Sequence, residues 1–226
     1  VPDLEKSHGN TLVDKATGKS YLDCFSYIAS NPIGHNHPKL DDPEFERKLL
    51  RVAKSKPSNS DVWTEELADF VETFVRVARP TYMKYMFFVE GGALAVENAL
   101  KAAFDWKIRK NKQNGIAGEV GSRVLHFRNA FHGRSGYTLS ITNSHDVNKT
   151  KYYPQFDWPR INNPKIIFPL TDENTKDLIQ RESEARKQII EEFENSRGEI
   201  AAIIIEPIQA EGGDNHFRIE FHQFLR

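Results

Sequence analysis

The junction at residues 86–101 constrains the fold of this chain more than any other segment. It reads Met86-Phe-Phe-Val-Glu-Gly-Gly-Ala-Leu-Ala-Val-Glu-Asn-Ala-Leu-Lys101, an apolar run that breaks at two glycines before a helical pattern. Glycines let a backbone approach an anion closely, and the free N–H groups and dipole of a helix start then bind it. The junction therefore predicts either a phosphate-binding turn or a glycine-rich turn of a parallel sheet that holds no ligand.

Composition and charge exclude several classes of partner. The chain has 226 residues with 31 basic and 32 acidic side chains, so no global field attracts nucleic acid or an anionic membrane. The single cysteine, Cys24, excludes an internal disulfide and indicates a reducing compartment. No apolar run reaches membrane-spanning length, and the N-terminus lacks a signal-peptide pattern. We therefore predict a cytoplasmic protein without a membrane or nucleic-acid partner.

The two ends of the sequence predict a piece of a longer protein. The chain starts at Val1 rather than at a methionine, and residues 220–226 read as a helix that has just begun. Neither end carries a capping or tail signal.

The first part of the chain predicts a hairpin, a loop and two helices. Residues 11–23 alternate around a turn at Ala16-Thr17-Gly18, and residues 30–38 are dense in turn formers. Helical patterns follow at 42–53 and at 60–78, the second with Ser60 or Asp61 as its cap.

The rest of the chain alternates between strand and helix. Apolar runs predict strands at 85–89, 123–127, 165–169 and 200–205. Helical patterns lie at 93–109 and 172–195, and a glycine-containing turn with a short segment at 136–142 follows the strand at 123–127. Such alternation predicts an α/β fold with a mostly parallel sheet and crossover helices on both faces.

Three of the predicted strands end in residues suited to binding. In an open parallel sheet, ligands bind at the carboxyl ends of the strands. These ends read Glu90-Gly-Gly-Ala93, Ala130-Phe-His-Gly-Arg134 and Glu206-Pro-Ile-Gln-Ala-Glu-Gly-Gly213. Together they offer an anion-binding backbone, an aromatic ring, a guanidinium, carboxylates and an amide. This edge of the sheet is therefore predicted to hold a flat, anionic, nitrogen-containing ligand.

Each candidate residue also has a structural interpretation. Phe131 is more typical of a core aromatic than of a stacking platform, and His132 is as typical of a satisfied structural histidine as of a ligand. Arg134 lies in a polar turn, where it either captures a carboxylate through two hydrogen bonds or is merely solvated. Glu206 ends a buried strand and needs a partner, since an unpaired buried carboxylate is costly. Glu211 fits a binding loop or an ordinary surface position.

The pair His35-Asn-His37 invites a zinc site. The sequence offers no second ligand pair of clear spacing beside it, and Cys24 is the only cysteine. The pattern favours a turn, and we predict no metal site.

Taken together, these segments resemble the class III aminotransferases, pyridoxal-phosphate enzymes of fold type I. The hairpin Gly18-Lys-Ser-Tyr-Leu-Asp23 and Gly34-His-Asn-His-Pro38 resemble the N-terminal segment of the family. The junction at 91–101, Phe131-His-Gly-Arg134 and Glu206-Pro-Ile-Gln209 resemble its cofactor-binding motifs. The resemblance implies that residues 1–45 belong to the small domain and that 46–226 form an incomplete large, cofactor-binding domain.

Within the family, the likeness is strongest to the branch that acts on L-lysine. It rests on Glu90-Gly-Gly in place of the usual Ser-Gly, and on the segments 56–61, 88–98, 131–138 and 156–161. The resemblance implies transfer of the ε-amino group of L-lysine to 2-oxoglutarate, giving 2-aminoadipate 6-semialdehyde and glutamate. Two alternatives stay open: a class III enzyme acting on ornithine or another diamine, and a non-catalytic remnant of the fold that serves as a binding module.

The resemblance also implies roles for single residues toward pyridoxal phosphate. Backbone N–H groups of Gly92 and Ala93 would bind its phosphate, and Phe131 would stack on its ring. The resemblance also implies that His132 contacts the cofactor. Glu206 would line the pocket, and Gln209 would lie beside the ring hydroxyl.

Two further residues are expected to recognise substrate. Arg134 would bind the α-carboxylate of lysine and a carboxylate of 2-oxoglutarate. Glu211 resembles a switch that pairs with an arginine when lysine binds and moves aside for the dicarboxylate, since one site must accept both side chains. The family also implies a homodimer with its sites at the subunit interface.

The residues that perform the chemistry in the family find no match in this chain. The Schiff-base lysine, the aspartate of the ring nitrogen and the arginine that partners Glu211 are all expected beyond residue 226. Lys101 and Lys107 lie at surface positions of a helical pattern. We therefore assign no catalytic residue to these 226 residues, and cofactor chemistry is not expected of them alone.

Overall fold

A computed structural model describes residues 1–55 and 61–226 of the chain. They form two compact units, Val1–Met86 and Phe87–Arg226. The predicted domain boundary at residue 45 stays a prediction. The likeness noted for 56–61 lies, except for Asp61, outside the described residues. No helix in the described part of the chain combines the length and apolarity needed to cross a membrane.

The first unit begins with the predicted hairpin. Strand β1 (Thr11–Val13) pairs antiparallel with β2 (Ser20–Leu22). The connecting turn is held by Asp14, whose carboxylate accepts hydrogen bonds from the backbone N–H of Thr17 and from its hydroxyl at 3.1 and 2.6 Å. Gly18 closes the turn with φ of 71°, a conformation that glycine adopts without penalty. The hairpin prediction is confirmed.

The segment around His35 forms turns, as predicted. A single left-handed turn, α1 (Ser26–Ala29), precedes it, and the short 3₁₀ helix η1 (Pro38–Leu40) follows. The His35 ring lies 3.1 Å from the Asp23 carboxylate, and the Asn36 amide donates to two backbone carbonyls. His37 caps η1 by accepting from the Lys39 N–H. These side chains stabilise the local backbone.

Two amphipathic helices complete the first unit. Helix α2 (Pro43–Ala53) matches its prediction and is capped by Asp42, which accepts from two backbone N–H groups. Helix α3 (Glu65–Val77) begins later than predicted. Its cap is Thr64, which accepts from the Leu67 N–H, so the proposal of Asp61 was wrong; Ser60 lies outside the described residues. Acidic residues at 65 and 66 suit the positive end of the helix dipole.

The second unit contains a three-stranded parallel sheet in the order β4-β3-β5. In chain order its elements are α4 (Gly92–Gln113), β3 (Arg123–Phe127), α5 (Gly136–Ser140), the 3₁₀ helix η2 (Val147–Lys149), β4 (Arg160–Ile161), α6 (Asp172–Asn195), β5 (Ile200–Ile203), β6 (Ile208–Gln209), β7 (Asn215–His216) and α7 (Ile219–Leu225). Strands β6 and β7 form a separate antiparallel pair.

Both faces of the central strand β3 are covered. Leu125 and Phe127 pack with Ala185 and Ile189 of α6 and with the aromatic residues of the C-terminal segment. Val124 faces the other way and packs with Leu100 of α4 and with Ile141. Alternate residues of a strand point to opposite faces, so this arrangement places helices on both sides of the sheet, as predicted.

Three predicted strands differ from the structure. Residues 85–89 are not assigned to a strand, and Phe87 is largely exposed. Residues 165–169 are not assigned to a strand either, and the neighbour of β3 on that side is β4. Strand β5 ends at Ile203 and, as an edge strand, is only half-buried beyond Ile200. An apolar run becomes a strand only where a neighbour satisfies its backbone hydrogen bonds.

Candidate functional site

The N-terminus of α4 provides an open anion-binding turn. Gly91 precedes the helix with φ of 83°, and no side chain caps the first turn. The first N–H groups of any α-helix lack partners within the helix, so they are available to a ligand. A Cβ atom built on Gly91 or Gly92 would meet nothing within 4 Å, which leaves space beside these N–H groups. The first turn also contains no acidic residue that would repel an anion.

Gly133 brings the second strand end against this turn. A Cβ atom at Gly133 would lie 2.7 Å from the Cβ of Ala93 and 2.6 Å from the hydroxyl of Thr138. Its φ of 136° is likewise reserved for glycine. Only glycine allows this close approach, and the result is that residues 131–134 lie directly on the start of α4.

Glu206 joins the third strand end to the second. Its Oε1 accepts a hydrogen bond from the backbone N–H of Phe131 at 2.7 Å. Burial raises the pKa of Glu206; the hydrogen bond from Phe131 opposes this shift, and the nearby charge of Glu211 adds to it. The carboxylate therefore fixes the backbone that carries the Phe131 ring, which is itself half-buried.

His132 carries an unsatisfied polar atom beneath this surface. Its backbone N–H donates to the Thr142 hydroxyl at 3.0 Å, and that hydroxyl donates to the Gly133 carbonyl at 2.7 Å. The imidazole is only 9 % exposed, and its Nε2 is buried with no hydrogen-bond partner among the described residues. Burial lowers the pKa of His132 to about 4, so the ring is neutral at physiological pH.

Arg134 is exposed, and its guanidinium contacts no acceptor in the part of the chain described by the structure. The residues just after it are fixed by Glu97 of α4. Glu97 Oε1 accepts from the Ser135 hydroxyl at 2.8 Å and from the Thr138 N–H at 3.1 Å. The loop that presents Arg134 is therefore anchored, whereas its guanidinium remains available to a carboxylate.

Gln209 lies inside the fold rather than on an open surface. Its Oε1 accepts from the side-chain amides of Asn163 and Asn215 at 2.6 and 3.0 Å. Its Nε2 donates to the Arg128 carbonyl at 3.0 Å, and the residue is 0 % exposed. These bonds join β6 and β7 to the end of β3. The predicted contact with a ring hydroxyl stays a prediction.

Glu211 pairs with a lysine within this chain. Its carboxylate accepts a hydrogen bond from Lys149 Nζ, and that nitrogen also lies 5.6 Å from the centroid of the Phe131 ring. Next to it, Gly212 approaches the Asn129 backbone so closely that any side chain would collide with the Asn129 carbonyl. The loop at 211–213 is therefore held beside the end of β3.

Comparison with known proteins identifies the family. The family described as Aminotransferase class-III matches residues 2–226. The chain belongs to the class III aminotransferases. Among curated relatives, the L-lysine-epsilon aminotransferase of Mycobacterium tuberculosis is 52 % identical over 227 residues, and that of Amycolatopsis lactamdurans is 51 % identical over 231. Each alignment covers 100 % of this chain and 50 % of the relative.

A solved structure agrees with this assignment. The lysine aminotransferase from M. tuberculosis superposes with a TM-score of 0.94 at 51 % identity, covering 99 % of this chain and 51 % of that one. The predicted α/β fold of type I is confirmed. This class III aminotransferase chain spans about half the length of the curated relatives it matches.

The features of this class III chain fit pyridoxal phosphate, the cofactor that the sequence predicts. An uncapped helix start suits the phosphate, and a neighbouring ring suits a flat heterocycle. The buried, unpartnered Nε2 of His132 is the kind of polar atom that a bound group satisfies. Nowhere in residues 1–55 and 61–226 do three or more His, Cys, Asp or Glu side chains form a group suited to a metal ion.

Sequence reasoning missed two residues of this class III site. Glu97 lies in the quoted junction, but its partners are 38 and 41 positions away along the chain. Lys149 lies in a polar loop, 62 positions from Glu211. Local periodicity carries no signal for either contact, because both depend on how distant segments pack.

Proposed function

We propose that this chain forms the cofactor-binding part of an aminotransferase that moves the ε-amino group of L-lysine to 2-oxoglutarate. The products are 2-aminoadipate 6-semialdehyde and glutamate. The single observation that supports the proposal is the packing of Gly133 onto Ala93, by which the loop that includes Phe131 and Arg134 meets the uncapped start of α4. The 52 % identity to an L-lysine-epsilon aminotransferase supports the donor. Because the chain spans half of that relative, the activity is assigned to a longer protein.

The cofactor is held by residues from all three strand ends. The N–H groups of Gly92 and Ala93 bind the phosphate, and the Phe131 ring stacks on the heterocycle. His132 offers its neutral Nε2 from below, while Glu206 keeps the Phe131 backbone in place. Gln209 is proposed as a cofactor contact through its remaining donor. Pyridoxal phosphate supplies the electron sink and the carbonyl carbon that carries the amino group.

Substrate is positioned by charge. Arg134 binds a carboxylate common to L-lysine and 2-oxoglutarate through a planar pair of N–H donors, a geometry that a lysine side chain does not reproduce. Glu211 is proposed as the second charged group, whose carboxylate favours an ammonium-bearing chain and repels a second carboxylate. The Schiff-base lysine and the proton transfers belong to the rest of the longer protein. A homodimer is proposed on the family resemblance.

A comparison of amino donors tests the proposal. The longer protein, saturated with pyridoxal phosphate and 2-oxoglutarate, is supplied with L-lysine, L-ornithine or 4-aminobutyrate, and glutamate is measured. We expect kcat/KM for L-lysine to exceed that of the other donors by at least about tenfold, a difference of roughly 1.4 kcal/mol in transition-state binding. Equal or better use of ornithine or 4-aminobutyrate would contradict the lysine assignment.

The role of Arg134 is tested in the same assay. Arg134→Ala removes a charge-assisted contact worth about 1.5–3 kcal/mol, so KM for lysine and for 2-oxoglutarate should both rise about 10- to 100-fold. Arg109→Ala is the matched control, because Arg109 is an exposed arginine of α4 whose side chain pairs, within the described part of the chain, only with Asp105. Unchanged KM values for Arg134→Ala would exclude the carboxylate role.

A further inference from the structure

We propose that Lys149 is a specificity-determining residue that holds the Glu211 carboxylate aside when the site accepts a dicarboxylate. The proposal rests on the function proposed above, in which one site takes a diamine and then a diacid. It assigns to this chain a cation for Glu211 in addition to the arginine expected from the longer protein.

The ammonium group of Lys149 lies close to two candidate site residues, Glu211 and Phe131. It is the last residue of η2, whose start is capped by the Asp146 carboxylate accepting from the Asn148 N–H at 3.0 Å. From there Nζ reaches Glu211 and also lies 5.6 Å from the centroid of the Phe131 ring. That ring is the expected platform for the cofactor, so the ion pair stands where substrate charge must be recognised.

A second contact holds the same two loops together. The ring Nε2 of His145 lies 3.0 Å from the Gly212 carbonyl oxygen and 3.3 Å from the Asn129 side-chain nitrogen. Gly212 in turn packs on the Asn129 backbone without room for a side chain. The backbone at both ends of the Lys149–Glu211 pair is therefore fixed by contacts that do not involve the pair itself.

The Lys149–Glu211 ion pair is weak enough to break and form again. The side chains of Lys149 and Glu211 are 27 % and 32 % exposed, and ion pairs with this much solvent contribute only about 0–1 kcal/mol to stability. Glu182, in contrast, is 6 % exposed and pairs with both Arg186 and Arg218, as expected of a structural contact between α6 and the C-terminal segment. Folding does not depend on the Lys149–Glu211 pair. A small difference in the free energy of substrate binding is therefore enough to move Glu211 from one cation to another.

The charges of the two substrates determine which of them Lys149 helps to bind. When 2-oxoglutarate enters, its second carboxylate competes with Glu211 for the cation expected from the longer protein. A displaced Glu211 without a cation would remain close to the incoming carboxylate and repel it. Lys149 removes this repulsion by neutralising Glu211. L-Lysine brings an ammonium instead, so its binding gains nothing from Lys149.

The test replaces Lys149 in the longer protein loaded with pyridoxal phosphate. Lys149→Met keeps the length of the side chain and removes its charge. We expect KM for 2-oxoglutarate to rise about three- to tenfold, with KM for L-lysine and kcat changed by less than about twofold. Lys149→Arg should restore the original KM, because arginine also pairs with a carboxylate. Lys151→Met is the control, since among the described residues the ammonium of Lys151 contacts only the exposed Tyr152 ring.

A binding measurement separates this proposal from the proposed function. Glutarate is a dicarboxylate that cannot accept an amino group, and its dissociation constant is measured by calorimetry. Lys149→Met should weaken glutarate binding about three- to tenfold in the parent but not in a Glu211→Gln background, where no charge needs neutralising. An equal loss in both backgrounds, no loss at all, or equal rises in KM for both substrates would overturn the proposal. If the parent protein failed to use lysine, that result would contradict the proposed function instead. The glutarate dissociation constants of the variants could still be compared in that case.

Discussion

At the scale of single residues, the candidate site depends on positions where a side chain is either excluded or kept neutral. Gly133 belongs to the first kind, because its missing Cβ lets the Phe131 loop lie on α4. His126 and His132 belong to the second, since burial keeps both rings uncharged. Neither property follows from residue type alone; both follow from the neighbours that packing supplies.

Replacement of Gly133 tests the close approach. Gly133→Ala would force a methyl group into Ala93 and Thr138 and would adopt an unfavourable φ of 136°. We expect the free energy of unfolding of the second unit to fall by about 1–3 kcal/mol, measured by urea denaturation. Gly136→Ala is the control: its nearest neighbour would be Glu97 Oε1 at an ordinary 3.8 Å. Equal stability of Gly133→Ala and Gly136→Ala would contradict the packing.

His126 predicts how stability depends on pH. The Arg160 Nε–H donates to its Nε2 at 2.9 Å, and burial together with the Arg160 charge lowers the pKa of His126 to about 3. The unfolded chain takes up the proton near pH 6.5, so the folded state binds fewer protons between these values. Stability is therefore fully present above about pH 6.5 and is lost as pH falls, by at most about 1.4 kcal/mol per pH unit for this one group.

Urea unfolding between pH 7 and pH 5 (roughly the range above carboxylate titration) measures this slope. His132, whose pKa is also lowered by burial, adds to it with the same sign. His126→Gln keeps an acceptor for Arg160 and should make the slope smaller. Glu206, whose pKa is raised by burial, contributes with the opposite sign in both proteins, so an equal slope in the parent and in His126→Gln would contradict the neutral, buried state of His126.

At the scale of elements, α4 does more than supply the anion-binding turn. Glu97, in its second turn, accepts two hydrogen bonds from the start of α5 and thereby fixes the loop that carries Arg134. One helix therefore provides the proposed phosphate-binding turn and also anchors the loop of Arg134, the proposed carboxylate-binding residue.

Removal of the Glu97 carboxylate tests this coupling. Glu97→Ala leaves the Thr138 N–H without its acceptor, which should cost about 1–3 kcal/mol and increase amide exchange at residues 135–138. Glu97→Gln keeps the Oε1 acceptor and should change exchange there only slightly. Exchange that is the same in Glu97→Ala as in the parent would show that the two elements are held by other contacts.

The elements also show what the sequence could and could not predict. Helix α6 and strand β3 were predicted with the bounds that the structure gives them, because each is long or fully buried and keeps a regular apolar pattern. Among the apolar residues of α6, Leu178, Ala185 and Ile189 are buried, while Phe193 is 43 % exposed. The apolar runs at 85–89 and 165–169 failed as strands because pairing depends on a neighbour that a local pattern does not reveal.

The sequence predicted the candidate site only in part, because a local pattern does not reveal contacts between distant segments. Motif spacing brought together the three strand ends, and the structure connects them through Gly133 and the Phe131–Glu206 hydrogen bond. The contacts of Glu97 with Ser135, of Lys149 with Glu211 and of Gln209 with Arg128 span from 38 to 81 positions of the chain. Contacts at such separation arise from tertiary packing, so no reading of local pattern would have found them.

At the scale of the whole molecule, every candidate site residue lies in the unit Phe87–Arg226. That unit carries the uncapped start of α4, the Phe131 ring and Arg134, which are proposed to bind cofactor and substrate, whereas the Schiff-base lysine is expected from a longer protein. The central claim is therefore that residues of this chain bind cofactor and substrate for a transfer that starts at the ε-nitrogen of L-lysine.

Position-specific labelling of lysine tests this claim most directly. The longer protein is given pyridoxal phosphate, 2-oxoglutarate and L-lysine labelled with ¹⁵N at either the ε- or the α-nitrogen, and the glutamate formed is analysed by mass spectrometry. The account predicts labelled glutamate from ε-labelled lysine and unlabelled glutamate from α-labelled lysine. Label that passes from the α-nitrogen, or no glutamate from either lysine, would contradict it.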